Sequence, residues 1–173
     1  MLRGLQDQPR LLEWMYDLTY RALTPFRRWL KPGGNVERVL ITAEEVGKGA
    51  IFNCQMCGQC VLHSTGMTCP MNCPKNLRNG PCGGVRANGH CEVIPEMRCV
   101  WVQAWERSRK MGAYGDEMLN VLPPHNWRLE GSSAWVNEFT GAALKPPPAW
   151  AAVRDIPVRA RADRKTERNG QAT

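Results

Sequence analysis

Eight cysteines fall between Cys54 and Cys99, and six of them sit in the thirty-one residues of CQMCGQCVLHSTGMTCPMNCPKNLRNGPCGG, Cys54 to Gly84. No other feature limits the fold as much. The same region carries Gly58, Gly66, Gly80, Gly83, Gly84 and Gly89 with Pro70, Pro74 and Pro81, a composition of turns and loops. Such backbone buries few apolar groups, and metal–thiolate bonds can hold it in their place. Disulfides are the alternative. The N-terminal MLRGLQDQPRLLEWMYDL has no uninterrupted apolar stretch of signal-peptide length, and no later segment approaches twenty apolar residues. This predicts a cytoplasmic chain with reduced thiols, and clustered cysteines in that compartment are metal-binding or catalytic.

The spacing narrows the metal. Cys54, Cys57 and Cys60 follow C-x₂-C-x₂-C. Three thiolates so close wrap three corners of a cubane, and a fourth arrives from further along the chain, as in ferredoxin runs where a Cys-Pro completes a site. Cys69 and Cys73 both precede proline, and either fits that role. Structural zinc more often takes two ligands from each of two short knuckles. The run therefore predicts a [4Fe–4S] cluster on Cys54, Cys57, Cys60 and one of Cys69 or Cys73. The other member of that pair, with Cys82, Cys91 and Cys99, is left for a second cluster, a zinc site or plain buried thiols. Its intervals match no short signature. His63 and His90 are read as hydrogen-bonding neighbours rather than ligands.

The flanks look more regular. Leu11, Met15, Leu18 and Ala22, beside Leu12, Thr19 and Leu23, predict a helix. Thr24 before Pro25 predicts the cap of a second short helix carrying Phe26, Trp29 and Leu30, ended by KPGG. This N-terminal helical arm, 1–34, either packs on its own domain or docks on a partner. VERVLI, Val36 to Ile41, reads as a short strand, with Thr42 and Glu45 capping a brief turn. Pro95 reads as the first residue of a helix carrying Trp101, Ala104, Trp105 and Ser108 and stopped at Gly112. LPPHNWRLEGSSAW is expected to be extended. KPPPAW and the charged end read as a linker and a disordered tail.

The expected fold is thus a small, mainly α and irregular domain with a Cys- and Gly-rich metal-nucleated core and few short strands. Its parts are the arm, a metal-binding domain over 35–135, and a Pro-rich linker and basic tail over 136–173. At 173 residues the chain is too short for a (β/α)₈ barrel, which takes about 250. The net charge of +7 invites a nucleic-acid reading. Residues Arg154 to Arg168 alone supply three of those charges, however, and bound thiolates would subtract more. GPCGG lacks the strand-then-helix setting of a phosphate loop, and no serine nucleophile elbow occurs. The chain is equipped to carry electrons or hold a shape, with no substrate pocket of its own.

CQMCGQCVLHSTGMTCPMNCPKNLRNGPCGG, followed by CEV, CVWVQAWERSRKMG and LPPHNWRLEGSSAW, resembles the methylenetetrahydrofolate reductase C-terminal domain family from about Val36 to Trp135. The resemblance implies a metal-containing small subunit beside a reductase barrel that carries FMN or FAD and interconverts 5,10-methylene- and 5-methyl-tetrahydrofolate. It implies metal on Cys54, Cys57, Cys60, Cys69, Cys73, Cys82, Cys91 and Cys99, without saying which share a centre. The favoured reading is an iron–sulfur accessory subunit that relays electrons between an external electron-carrier protein and the partner's flavin. No catalytic residue is expected in this chain. The competing readings are a structural metal scaffold of that reductase and a zinc-organised nucleic-acid-binding module.

Overall fold

The computed structural model describes residues 3–80, 82–122 and 124–145. The Pro-rich run after Lys145 and the basic tail lie outside them. Among the described residues the fold is helical: α1 (Arg3–Gln6), α2 (Pro9–Leu23), α3 (Asn35–Phe52), α4 (Val100–Ser108) and α5 (Ala134–Phe139), joined by short 3₁₀ turns. One isolated antiparallel bridge, His90 with Arg98, is the extended pairing among these residues. Among them, too, no helix is long and apolar enough to cross a membrane.

Proline at the first helical position starts α2, as its fixed φ suits that place. Its inner face is Leu12, buried, with Met15, Tyr16, Thr19 and Leu23 around a cavity of about 330 Å³ between α2, α3 and α5. Leu11, Trp14 and Leu18 point out, at 44%, 59% and 52% exposure, so the predicted stripe is split between two faces. Glu13 ties the helix down. Its carboxylate accepts the backbone N–H groups of Gly112, Ala113 and Tyr114 at 2.9, 2.7 and 2.9 Å. Thr24 does not cap a following helix. Its hydroxyl donates back to the Tyr20 carbonyl at 2.7 Å, and only a 3₁₀ turn, Thr24–Phe26, comes next.

The expected strand at Val36–Ile41 is the start of α3. The hydropathy pattern misleads there because the helix is charged on its inner side. Glu37 and Glu44 are buried, while Val36, Val39 and Val46 face out. Glu37 accepts Gly33 N–H at 2.5 Å and Ser133 N–H at 3.4 Å. Glu44 accepts Ser133 Oγ at 2.5 Å and the Ala134 and Trp135 amides at 3.2 and 3.3 Å, so it serves the orphan donors at the start of α5. Asn53, left-handed at φ 52°, ends α3 and turns the chain into the cysteine segment.

The helix expected from Pro95 begins later. Pro95 sits inside a turn instead, closed by Met97 N–H on the Ile94 carbonyl at 3.0 Å, and α4 starts at Val100 with Cys99 as its N-cap. Two apolar clusters form around these elements. One joins Leu12, Phe52, Leu62, Met67, Cys69, Met71 and Met111; the other joins Cys73, Cys99, Val100, Trp101 and Ala104. Each contains cysteines, and the boundary between them falls between Cys69 and Cys73.

Candidate metal centres

The turn Pro70–Asn72 decides how the cysteines divide. Cys69 is its extended N-cap and Cys73 its extended C-cap, with Cys73 N–H on the Pro70 carbonyl at 3.0 Å. One residue therefore leaves the turn toward one apolar cluster and the other toward the next. Cys54, Cys57, Cys60 and Cys69 line a single cavity together with Phe52, Val61, Leu62 and Pro70. Cys73, Cys82, Cys91 and Cys99 line a second, with Val85, Met97 and Val100. The sequence left Cys69 and Cys73 as alternatives for one position; the structure places them in different cavities. All eight are free thiols. Among the described residues no three His, Cys, Asp or Glu side chains converge tightly enough to hold one metal ion. Each foursome shares a cavity without closing on a common point.

The first site is built by close backbone approach. Gly58 lies between Cys57 and Cys60 at φ 70°, and a Cβ there would run into the Leu129 carbonyl. That contact lets Gly131 N–H reach the Met56 carbonyl and Asn137 Nδ2 reach the Gly58 carbonyl, both at 2.8 Å. Gln59, 1% exposed, holds the other side. Its Oε1 accepts Asn126 N–H at 2.7 Å, and its Nε2 donates to the Ala143 carbonyl at 2.6 Å. The WRLEGSSAW segment is thus the outer wall of the first cysteine loop.

Burial pushes the Cys54 and Cys57 thiols up and takes Cys69 to about 12, so all three favour the protonated form when nothing compensates. Cations do stand beside them. Arg78 is 7% exposed; its Nη1 donates to the Gln59 carbonyl at 3.0 Å, while its buried Nε–H has no partner. Burial pulls Arg78 below the usual arginine range, and Cys57, Cys60 and Cys69 oppose that pull. Lys48 also lines the cavity, 2.7 Å from Glu44 Oε2 and 5.3 Å from the centre of the Trp135 ring. An uncompensated buried guanidinium is costly by several kcal/mol. Thiolates of Cys57, Cys60 and Cys69, which lie close enough to act on Arg78, would supply its counter-charge, and this orphaned donor behind the cysteine loop fits an anionic metal–thiolate centre there.

At the second site Cys73, Cys91 and Cys99 are buried, and Cys82 is half-buried beside exposed charges. Gly84 N–H donates to Cys82 Sγ at 3.3 Å, and Lys75 Nζ lies 3.5 Å from the same sulfur. The amide bond lowers the Cys82 thiol against slight desolvation, with help from Lys75. Lys75 is itself paired with Glu92, and both are exposed. Cys91 N–H bonds to the Met97 carbonyl at 2.9 Å and Cys99 N–H to the Gly89 carbonyl at 3.0 Å, so the 89–99 loop carries two of the four ligands. This donor set also fits a metal–thiolate centre.

Neither His63 nor His90 lines a cysteine cavity. His63 stacks on Tyr16 at 5.1 Å, and His90 Nδ1 meets the Pro95 carbonyl at 2.7 Å. Sequence reasoning missed Gln59, Glu44 and Lys48. Arg78, in the Gly- and Pro-rich RNGPCGG segment, is buried and turned inward rather than solvated. No curated protein and no solved structure matches the chain. The family model described as methylene-tetrahydrofolate reductase C terminal matches residues 34–128, a span that opens at α3 and holds all eight cysteines, and on that match the chain belongs to the methylene-tetrahydrofolate reductase C-terminal family.

Proposed function

We propose that this chain is the metal-carrying subunit of a methylenetetrahydrofolate reductase, linking an external electron carrier to the FMN or FAD of a partner barrel that interconverts 5,10-methylene- and 5-methyl-tetrahydrofolate. The observation that carries the reading is the division of eight cysteines into two cavities of four, in a chain of this family. Cys54, Cys57, Cys60 and Cys69 would hold a [4Fe–4S] cluster, their C-x₂-C-x₂-C run and distant Cys-Pro being a cluster-binding pattern. Cys73, Cys82, Cys91 and Cys99 would hold a second cluster or a zinc ion. A bound cluster supplies one-electron storage. The chain's own part is to exclude water with Phe52, Leu62 and Val61, and to offset thiolate charge with Arg78.

A scaffold role is the second reading. It is favoured by the way each cysteine set seeds an apolar cluster in a segment with little regular structure. Anaerobic stopped-flow reduction of the reductase flavin by a low-potential donor, with and without this chain, separates the two. Relay predicts that flavin reduction depends on the chain. Equal rates with donor and folate fixed would leave the scaffold standing.

A further inference from the structure

The two cysteine cavities differ in the charges built around them. Arg78 does not line the first cavity but is buried behind its cysteine loop, with Nη1 on the Gln59 carbonyl, an unpartnered Nε–H and, among the described residues, no carboxylate paired with it. Lys48 faces the same cavity, balanced by Glu44. At the second cavity the facing charges are Lys75 and Glu92, exposed and paired with each other. Charges act weakly through solvent and strongly where water is excluded. The first site therefore feels an unbalanced buried positive charge, and the second feels almost none.

We infer that Arg78 is the internal counter-charge that sets the reduction potential of the first centre, holding it above the value the four thiolates alone would give. The inference rests on the proposed iron–sulfur occupancy of that site. Reduction adds one electron and one unit of negative charge there, with no bond formed or broken. A fixed cation stabilises the reduced state more than the oxidised one, so it raises the potential. Glu44 acts with the opposite sign and Lys48 with the same sign as Arg78. Arg78 stays charged throughout, so the effect needs no titration of its own.

The test is an anaerobic dithionite titration of the full chain followed by EPR, with iron content measured on each sample. At the wild-type midpoint, Arg78→Met should lower the reduced-to-oxidised ratio of one centre at least tenfold, about 59 mV for a one-electron couple, and leave any other centre within threefold. Arg78→Lys should stay within threefold of wild type. Glu44→Gln keeps a carbonyl acceptor for α5 but loses the negative charge, and should raise the ratio at least threefold. Opposite signs are the signature, since structural disturbance alone would not produce them. An unchanged midpoint in iron-loaded Arg78→Met, or both variants shifting the same way, overturns the inference. If Arg78→Met fails to take iron, an unchanged or lowered ratio in Glu44→Gln overturns it and a raised one supports it. Failure of both to load iron also overturns it, because a tuning charge is dispensable for assembly. A wild-type chain without iron removes the occupancy reading itself, and metal analysis of that sample distinguishes this result from the others.

Discussion

Replacing Glu13 by Ala takes one carboxylate from under a loop a hundred residues away. Glu13 is 7% exposed, and its oxygens accept three amides, those of Gly112, Ala113 and Tyr114. A buried donor left without a partner costs about 1–3 kcal/mol. Gly112 and Ala113 are exposed residues, so water recovers part of each loss, and the three effects are not additive. A local loss of about 2–4 kcal/mol follows. Amide hydrogen exchange reads it directly, because opening of this contact need not involve the whole domain. The Gly112–Tyr114 amides should exchange roughly 30- to 1000-fold faster in Glu13→Ala. Glu13→Gln, which keeps one acceptor oxygen, should lose about 1–2 kcal/mol. Burial by itself would raise the Glu13 carboxyl, but the three amides and Arg10 together hold it below the ordinary 4.5. Its contribution is therefore fully present above that value and is lost as pH falls through the lower folded value. Exchange in Glu13→Ala within twofold of wild type at neutral pH would refute the claim that this carboxylate anchors α2.

Other substitutions probe the remaining contacts. Gly58→Ala should destabilise the chain by about 2 kcal/mol or more in urea, since φ 70° is unfavourable for Ala and the Leu129 carbonyl blocks its Cβ; an unchanged midpoint would show that the wall can move aside. Leu12→Ala should cost about 2–4 kcal/mol in the same assay, as Leu12 is 3% exposed. Leu18→Asp, on the outward face of α2, should change stability by less than about 0.5 kcal/mol and instead abolish co-purification with the reductase; retained co-purification would remove α2 from the partner surface.

How far the sequence carried the fold depended on where polar groups face. For α2 the apolar period was enough to locate a helix, because its core contacts are Leu12 and the partly buried Tyr16. For α3 it failed, because Glu37 and Glu44 point inward to serve the Gly33 loop and the start of α5, leaving valines outside. A period-3.6 search that counted those acids as inward positions could have found the helix. The three cysteines of C-x₂-C-x₂-C could be grouped from spacing alone, since seven residues leave them little freedom. The division between Cys69 and Cys73 could not, because it depends on the reversal made by Pro70–Asn72. The burial of Arg78 is illegible in the sequence for a similar reason. In a Gly- and Pro-rich segment an arginine is ordinarily solvated, and only the tertiary fold carries its guanidinium beneath the first cysteine loop.

The division of the cysteines into two sets of four is the central claim, and metal analysis tests it most directly. Iron, zinc and acid-labile sulfide should be measured per chain on anaerobically purified wild type, Cys57→Ser and Cys91→Ser. The account predicts about four iron and four sulfide at the first site of the wild type, with the second site's metal in addition. Cys57→Ser should lose the first site's iron and keep the second site's metal, and Cys91→Ser should do the reverse. Equal loss of all metal in both variants, or full retention in both, would contradict two separate four-cysteine centres.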